Sequence, residues 1–313
     1  MGIQYLNTYL KRNCSKAISY VSLNDLNQKK LAIDASIYMY RFKSEGFLID
    51  GIYQMAMMMR RNNITPVFVF DGKPPKEKRA LLLKRRQEKE RAKQELMALT
   101  ELTRPTSVDV KNMKLCKQKC VKLSRNDIAE VKKLLLLCGI TCYQANGEAD
   151  ELCAKLVLKN RVWACVSEDT DLFVYGCPRV LRGFSMFQGS FMVYEMDKIL
   201  QSLNLTLKEF REVCVLSGTD YNTNTTKKVS LNMAMKTFSK YKEDKTNPCD
   251  FYEWLENSGY QNYNCYLLYS NDIMFDTRDV SISDYDKRNP IVNKQIEQTK
   301  LRLFLKDYGF IFV

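Results

Sequence analysis

Thr65-Pro-Val-Phe-Val-Phe70 runs straight into Asp71-Gly72 and then into a Pro74-Pro75 break. Six mostly apolar residues bounded by turn formers have the length and composition of a buried strand. This one ends in a carboxylate. Upstream, Lys30-Leu-Ala-Ile-Asp34 has the same form. Between the two, Ile52, Met55, Ala56 and Met59 recur at the three- and four-residue spacing of a helix face, with the methionines as core filler. Downstream, Ser124 is placed to cap a helix whose apolar face holds Ile128, Val131, Leu134 and Leu135 and which Gly139 closes. A strand over 140–144, a helix over 148–158 and a third β run over 162–166 follow. Strand alternating with helix predicts an α/β domain with a mainly parallel, twisted sheet flanked by helices. Runs at 179–184 and 191–194, on either side of Gly189, predict a hairpin. Beyond Leu205 the pattern is mostly helical and rich in Tyr and Asn, with no internal repeat.

The stretch from Lys76 to Leu99 is strongly helical and strongly basic. From 100 to 123 the pattern weakens around Pro105 and Lys111, Lys114, Lys117, Lys119 and Lys122, as expected for a mobile or partly helical insertion. The expected organisation is one compact domain. It divides into an N-terminal region 1–99, an insertion 100–123, an internal region 124–225 and a helical C-terminal region 226–313.

With 313 residues, 45% hydrophobic, the chain can bury a substantial core. It has no 18-residue apolar run, so no membrane partner is expected. Its start, MGIQYLNTYLKRN, is too polar for a signal peptide, and Asn7 stands where a myristoylation signal wants Ser or Thr. A soluble intracellular protein is expected. The eleven cysteines are scattered and odd in number and read as reduced, buried thiols. Cys116 and Cys120 lack the second pair that a zinc site needs.

There is no histidine. Ser-His-Asp and Cys-His triads, HExxH zinc sites and imidazole bases are therefore excluded. The net charge of +13 favours a polyanionic partner. From Lys73 to Lys93 there are ten basic residues against three acidic ones, so more than half of the net charge lies in one stretch.

Acids gather at one predicted edge of the sheet. Asp34 and Asp71 follow strands directly, Glu148 and Asp150 open a helix just after a strand, and Asp169 and Asp171 follow the run over 162–166. Ligands of open parallel sheets collect beyond the carboxyl ends of strands, where acids distant in sequence converge. Any one such Asp could be an ordinary cap or turn former; six at equivalent places argue for more. Buried together, carboxylates repel unless cations offset the charge. Oxygen ligands without Cys or His select Mg²⁺, with Mn²⁺ as a substitute, over zinc. Two such ions can activate water and stabilise the leaving oxygen in phosphoryl displacement.

These segments resemble the flap endonucleases of the XPG nuclease superfamily. The likeness is carried by Met1-Gly-Ile-Gln-Tyr-Leu6, Leu31-Ala-Ile-Asp-Ala-Ser36, Val67-Phe-Val-Phe-Asp-Gly-Lys-Pro-Pro75, Ala145-Asn-Gly-Glu-Ala-Asp-Glu-Leu-Cys-Ala154, Ser167-Glu-Asp-Thr-Asp-Leu172 and Leu216-Ser-Gly-Thr-Asp-Tyr221. Their order and approximate spacing agree over about residues 1–225. The resemblance implies a PIN-like 5′-nuclease fold with a helical arch and a helical C-terminal region. It also implies a structure-specific 5′ nuclease, with flap endonuclease and 5′-3′ exonuclease activity, serving DNA replication, repair or recombination. Its substrates would be DNA flaps, nicks, gaps or junctions.

By the same resemblance, Asp34, Asp71, Glu148 and Asp150 serve a first metal ion, and Asp169, Asp171 and Asp220 a second. Position 150 departs from the family, which usually carries Glu there. Lys78 and Arg85 match two gateway residues that contact the scissile phosphate, and their separation of seven puts them on one helix face. The plain alternative is a solvated lysine-rich face. Tyr40 matches an aromatic stacked on a nucleobase, with a core tyrosine as the alternative. Gly2 matches a residue close to the active site. Lys73, Lys76, Lys84 and Arg86 join the basic surface expected to touch DNA.

After Asp220 the family carries a glycine-containing helix–hairpin–helix turn that binds phosphate through K⁺. Here Tyr221-Asn-Thr-Asn-Thr-Thr-Lys-Lys-Val-Ser230 contains no glycine. Lys227 and Lys228 are expected to contact phosphate directly instead, and no K⁺ site is expected. The last residues, Phe310-Ile-Phe-Val313, do not carry a sliding-clamp motif, so no clamp partner is expected. A monomer is expected, working in the nucleus or at a viral replication site; a composition rich in Asn, Lys and Tyr suits a viral member. Two rival readings remain at this level, a catalytically silent DNA-binding scaffold and a PIN-like ribonuclease.

Overall fold

The computed structural model describes residues 2–102, 106–221, 229–244, 249–259, 264–277, 282, 285 and 289–312. Helix α1 (Leu6–Asn13) leads into a first strand, β1 (Ile18–Ser22). Strand β2 (Lys30–Asp34) buries Leu31, Ala32 and Ile33 completely, and Asp34 is the N-cap of α2 (Ala35–Glu45). Helix α3 (Leu48–Arg61) buries the expected Ile52, Met55, Ala56 and Met59 face, and β3 (Thr65–Phe70) has the expected limits. Next come α4 (Arg79–Thr100) and α5 (Ser107–Cys120), which pack against each other. Helix α6 (Arg125–Leu137) starts at the predicted Ser124 cap, where Asp127 completes a capping box, and Gly139 follows its end at φ +68°.

The central chain then alternates as predicted: β4 (Thr141–Gln144), α7 (Ala149–Leu158), β5 (Ala164–Val166), α8 (Asp171–Val174), β6 (Arg179–Ser185) and β7 (Ser190–Glu195). Beyond these, the described residues are helical: α9 (Met196–Leu203), α10 (Leu207–Ser217), α11 (Leu231–Glu243), α12 (Phe251–Asn257), α13 (Cys265–Met274) and a helix at Gln298–Lys306.

The sheet has seven strands in the order β1-β7-β6-β5-β2-β3-β4. From β6 to β4 all neighbours are parallel, and β7 runs antiparallel to both β6 and β1. A parallel sheet must be covered on both faces, and strand alternation supplies two apolar sides. Val67 and Val69 of β3 pack into the layer that holds Cys153 of α7, Phe173 of α8 and Phe210 of α10. Phe68 and Phe70, one residue out of phase, pack into the opposite layer with Phe42 of α2, Met55 of α3 and Leu135 of α6. The carboxyl ends of β2, β3, β4 and β5 therefore open along one edge, with β2 and its Asp34 near the middle.

The insertion over 100–123 is partly helical: Thr106 and Asp109 form a reciprocal capping box that launches the 14-residue α5. Strand β1 goes beyond the elements expected from the sequence. It lies at the sheet edge, pairs only with β7, and buries none of its residues fully, which leaves its sequence without an apolar run. Among the described residues, no helix is long and apolar enough to cross a membrane. Cys116 and Cys120 stand unbridged on α5 without a second thiol pair. Lys227 and Lys228 lie outside the described residues.

Candidate active site

The seven acids singled out in the sequence line one cleft or its wall. Asp34 caps β2 and accepts a hydrogen bond from Ser167 Oγ at 3.1 Å. Asp71 follows β3; Ser36 Oγ donates to it, and so does the Ala149 backbone N–H at 2.9 Å. The Asp71 carboxylate thus receives the first backbone amide of α7, as a helix N-terminus favours for an anion. The loops of the second and third acidic motifs are locked together: Gly72 N–H donates to Gly147 O at 2.7 Å, and Lys73 N–H to Asn146 O at 3.1 Å. A side chain at Gly72 would overlap the carbonyls of Ala145 and Asn146, so this meeting requires glycine.

Glu148 is the N-cap of α7, and Asp150 lies in its first turn, 7% exposed. Asp169 and Asp171 sit on the turn after β5. Ser167 Oγ accepts from Asp169 N–H, and Asp169 Oδ1 accepts from Asp171 N–H, both at 3.1 Å. Asp220 follows α10. Lys78 closes a short turn ahead of α4 and reaches Glu148 at 2.6 Å and Asp220 at 3.6 Å. Arg85, two turns along, reaches Asp220 at 2.9 Å. Asp34, Asp71, Glu148, Asp150, Asp169 and Asp220 line a cleft of about 410 Å³ with Tyr40, Lys78 and Arg85. Tyr40 is 48% exposed at its mouth, which removes the reading of it as a core residue.

Asp171 stands behind the cleft, fully buried, and among the described residues neither of its carboxylate oxygens has a hydrogen-bond partner. An orphaned carboxylate in a protein interior is costly. Burial, followed by Asp169 and Asp220, holds its carboxyl well above the usual range. Burial, then Asp169 and Glu148, does the same at Asp150. At Asp34, burial with Asp71 and Asp169 raises the carboxyl to about 8. Burial works to lower Lys78, but Asp150, Glu148 and Asp171 outweigh it and keep the ammonium charged. Among the described residues, no three acids or thiols converge as a finished ligand shell. Among the described residues, buried Lys78 and partly exposed Arg85 are the cations paired to seven carboxylates, which leaves the cluster short of positive charge. The raised carboxyls and the orphaned oxygens of Asp171 fit a site made for further hard cations.

Gly2 packs against the same cluster. A Cβ there would overlap carboxylate oxygens of Asp169 and Asp171 and stand 2.6 Å from the Thr170 hydroxyl, and its φ of +74° is itself a glycine conformation. Lys73, Lys76, Lys84 and Arg86 are exposed along the turn and the first part of α4.

Sequence reasoning missed three groups. Ser36 and Ser167 orient Asp71 and Asp34. Arg182, 7% exposed on β6, donates to the carbonyls of Glu168 and Asp169 and so pins the turn that carries two of the acids. Tyr221 donates to Glu148 at 2.6 Å. The serines and Tyr221 lay inside quoted motifs, but nothing in the chain pointed to Arg182.

Comparison with known proteins agrees with this arrangement. The XPG N-terminal domain matches residues 1–92 and the XPG I-region residues 139–220. Flap endonuclease 1 of Cryptosporidium muris is 30% identical over 274 residues, covering 79% of this chain and 57% of the relative. That of Lodderomyces elongisporus is 33% identical over 71% of this chain and 61% of its own length. That of Entamoeba histolytica is 30% identical, with 77% and 68% covered. The chain thus spans about three fifths of the length of the first two of these relatives.

Among solved structures, the catalytic core of Rad2 in complex with DNA substrate superposes with a TM-score of 0.67 at 23% identity, over 97% of this chain and 95% of that one. Flap endonuclease-1 from Methanococcus jannaschii gives a TM-score of 0.57 at 22% identity, over 98% and 100%. The shared fold and the sequence matches lead to one assignment: the chain belongs to the XPG/flap endonuclease family.

Proposed function

We propose that this protein is a structure-specific 5′ nuclease that hydrolyses DNA phosphodiester bonds with two divalent metal ions. The observation that carries this reading is the buried, cation-deficient acid cluster, with both Asp171 oxygens unpartnered, beside Lys78 and Arg85. Asp34, Asp71, Glu148 and Asp150 would hold one Mg²⁺ or Mn²⁺ ion, and Asp169, Asp171 and Asp220 the other. Bound there, the pair would supply water activation and neutralisation of charge on the transferring phosphoryl group.

The chain's own residues do the rest. Once substrate enters, Lys78 and Arg85 exchange their carboxylate partners for the scissile phosphate and stabilise charge developing on it. Tyr40, at the mouth of the cleft, stacks on a base of the entering strand. Lys73, Lys76, Lys84 and Arg86 hold the backbone through charge. Helix α4, which brings Leu82 and Arg85 to the cleft and packs on α5, would flank the path of a single-stranded 5′ end. The short turns that tie Asp71 to α7 and Asp169 to Asp171 keep the acids in register without loop rearrangement.

The test is cleavage of labelled 5′-flap, nicked, gapped and four-way-junction DNA, with the corresponding RNA, in Mg²⁺. Cutting of DNA near the base of the 5′ single strand, abolished by Asp171→Asn, is the expected result. A wild-type protein that cuts none of these while binding them would be a scaffold, and preferential cutting of RNA would make it a ribonuclease.

A further inference from the structure

Glu148 is gripped at both oxygens. Lys78 Nζ donates to Oε1 at 2.6 Å, and the Tyr221 hydroxyl donates to Oε2 at 2.6 Å. The two grips are different in kind. Lys78, although buried, is a cation that the proposed reaction calls away, whereas Tyr221 is held in the interior by packing. Its ring lies beneath Lys78, with Nζ 4.9 Å from the centroid, so one residue holds the acid with its hydroxyl and the ammonium with its π face.

Behind it, the Tyr175 hydroxyl of the segment just after α8 lies 3.4 Å from the Tyr221 hydroxyl. Tyr221 has spent its single proton on Glu148, so Tyr175 is the donor of that contact. Phe275, fully buried, packs on both rings at 5.0 and 5.4 Å and leaves neither free to turn.

We propose that Tyr221, backed by Tyr175, is a positioning residue that fixes Glu148 by one oxygen so that the other is presented to a metal ion when Lys78 leaves. Chains of donors polarise one another, and partners behind a ligand set its orientation. A glutamate at a helix N-cap has three rotatable bonds, and without a fixed partner it would follow Lys78 out of the cleft. The inference rests on the metal reading of Glu148 above.

The test is Mn²⁺ binding to the whole, DNA-free protein, followed by electron paramagnetic resonance. It compares the parent with Tyr221→Phe, Tyr175→Phe and Glu148→Gln. Tyr221→Phe keeps the ring, the packing on Phe275 and the contact with Lys78, and loses only the hydroxyl. It should weaken Mn²⁺ by about 10- to 100-fold, the usual effect of removing a partner behind a ligand. Tyr175→Phe should weaken it less, about fivefold. DNA affinity without metal should stay at the parental value in both.

Binding by Tyr221→Phe that matches the parent, while Glu148→Gln is impaired, overturns the proposal and leaves the metal site standing. Parental binding by Glu148→Gln overturns the metal assignment itself. If Tyr221→Phe fails to fold, Tyr175→Phe decides: an unchanged isotherm sinks the relay.

Discussion

At the scale of single residues, the site is governed by what each position can tolerate beside concentrated negative charge. Gly2 is the sharpest case. Its backbone lies at φ +74° against Asp169, Thr170 and Asp171, so an added methyl meets both strain and carboxylate oxygens. Those oxygens belong to acids proposed above to hold the second metal, and on that reading even a small displacement there misaligns the reacting phosphate. Gly2→Ala should therefore lower single-turnover cleavage of a 5′ flap by about 10²-fold, the order expected for misplacement near 1 Å. Its thermal midpoint should stay within a few degrees of the parent. A variant that cleaves at the parental rate would show that this corner lies outside the reaction.

Six of the acids were legible in the sequence because they end or follow strands or open a helix, where chain direction fixes the address of the side chain; Asp220, which follows α10, came only from the family resemblance. The groups that orient them were not. Tyr221 and Tyr175 are 46 residues apart and look like ordinary core aromatics, and Arg182 on β6 looks like any strand arginine. Only packing reveals that Arg182 holds the turn of Glu168 and Asp169, while Tyr221, backed by Tyr175, holds Glu148.

Between elements, what the sequence showed depended on burial. Strands β2 and β3 are buried on both faces, so their apolar runs marked them without ambiguity. Edge strand β1 and the basic helix α5 carry no such stripe, so β1 went unread and the stretch holding α5 could be read only as partly helical, although the Thr106–Asp109 cap marks where its helix starts.

The helical C-terminal part holds another burial conflict. Glu212 of α10 is 5% exposed, and its only ion-pair partner among the described residues is Lys208 at 3.6 Å, itself well exposed. Burial raises its carboxyl to about 7, with Lys208 opposing and Asp272 and Asp250 adding to the rise. Because the folded value lies above the unfolded one, the stability tied to this group is fully present below about pH 4. It is lost as pH rises through about 7. Glu212→Gln removes that loss. At pH 8.5 the variant should be about 1–2 kcal/mol more stable than the parent in urea unfolding, and no more stable at pH 5. Equal stability gains at both pH values would show that packing, not the carboxylate, makes the difference.

Across the whole molecule, charge is divided by direction. The acids gather around one cleft at the carboxyl edge of the sheet, and the basic residues of the turn and α4 beside it face outward, although the two alternate along the chain. Lys78 and Arg85 are turned into the acids, whereas Lys73, Lys76, Lys84 and Arg86 on the same turn and helix point to solvent. An inward pair that acts on chemistry and an outward set that acts on affinity should separate in experiment.

Replacing Lys73, Lys76, Lys84 and Arg86 together by Ala removes up to four phosphate contacts. Each contact contributes about 0.7–0.9 to the slope of log affinity against log salt. The slope for a 5′-flap substrate, measured by fluorescence anisotropy in Ca²⁺ between 50 and 200 mM KCl, should therefore fall by about 3. The single-turnover rate at saturating enzyme should stay within a few-fold of the parent, because Lys78, Arg85 and the acids are untouched. A solvated surface with no DNA contact predicts an unchanged slope. A lost rate with an unchanged slope would mean that the outward set shapes the cleft, contrary to the division of charge seen here.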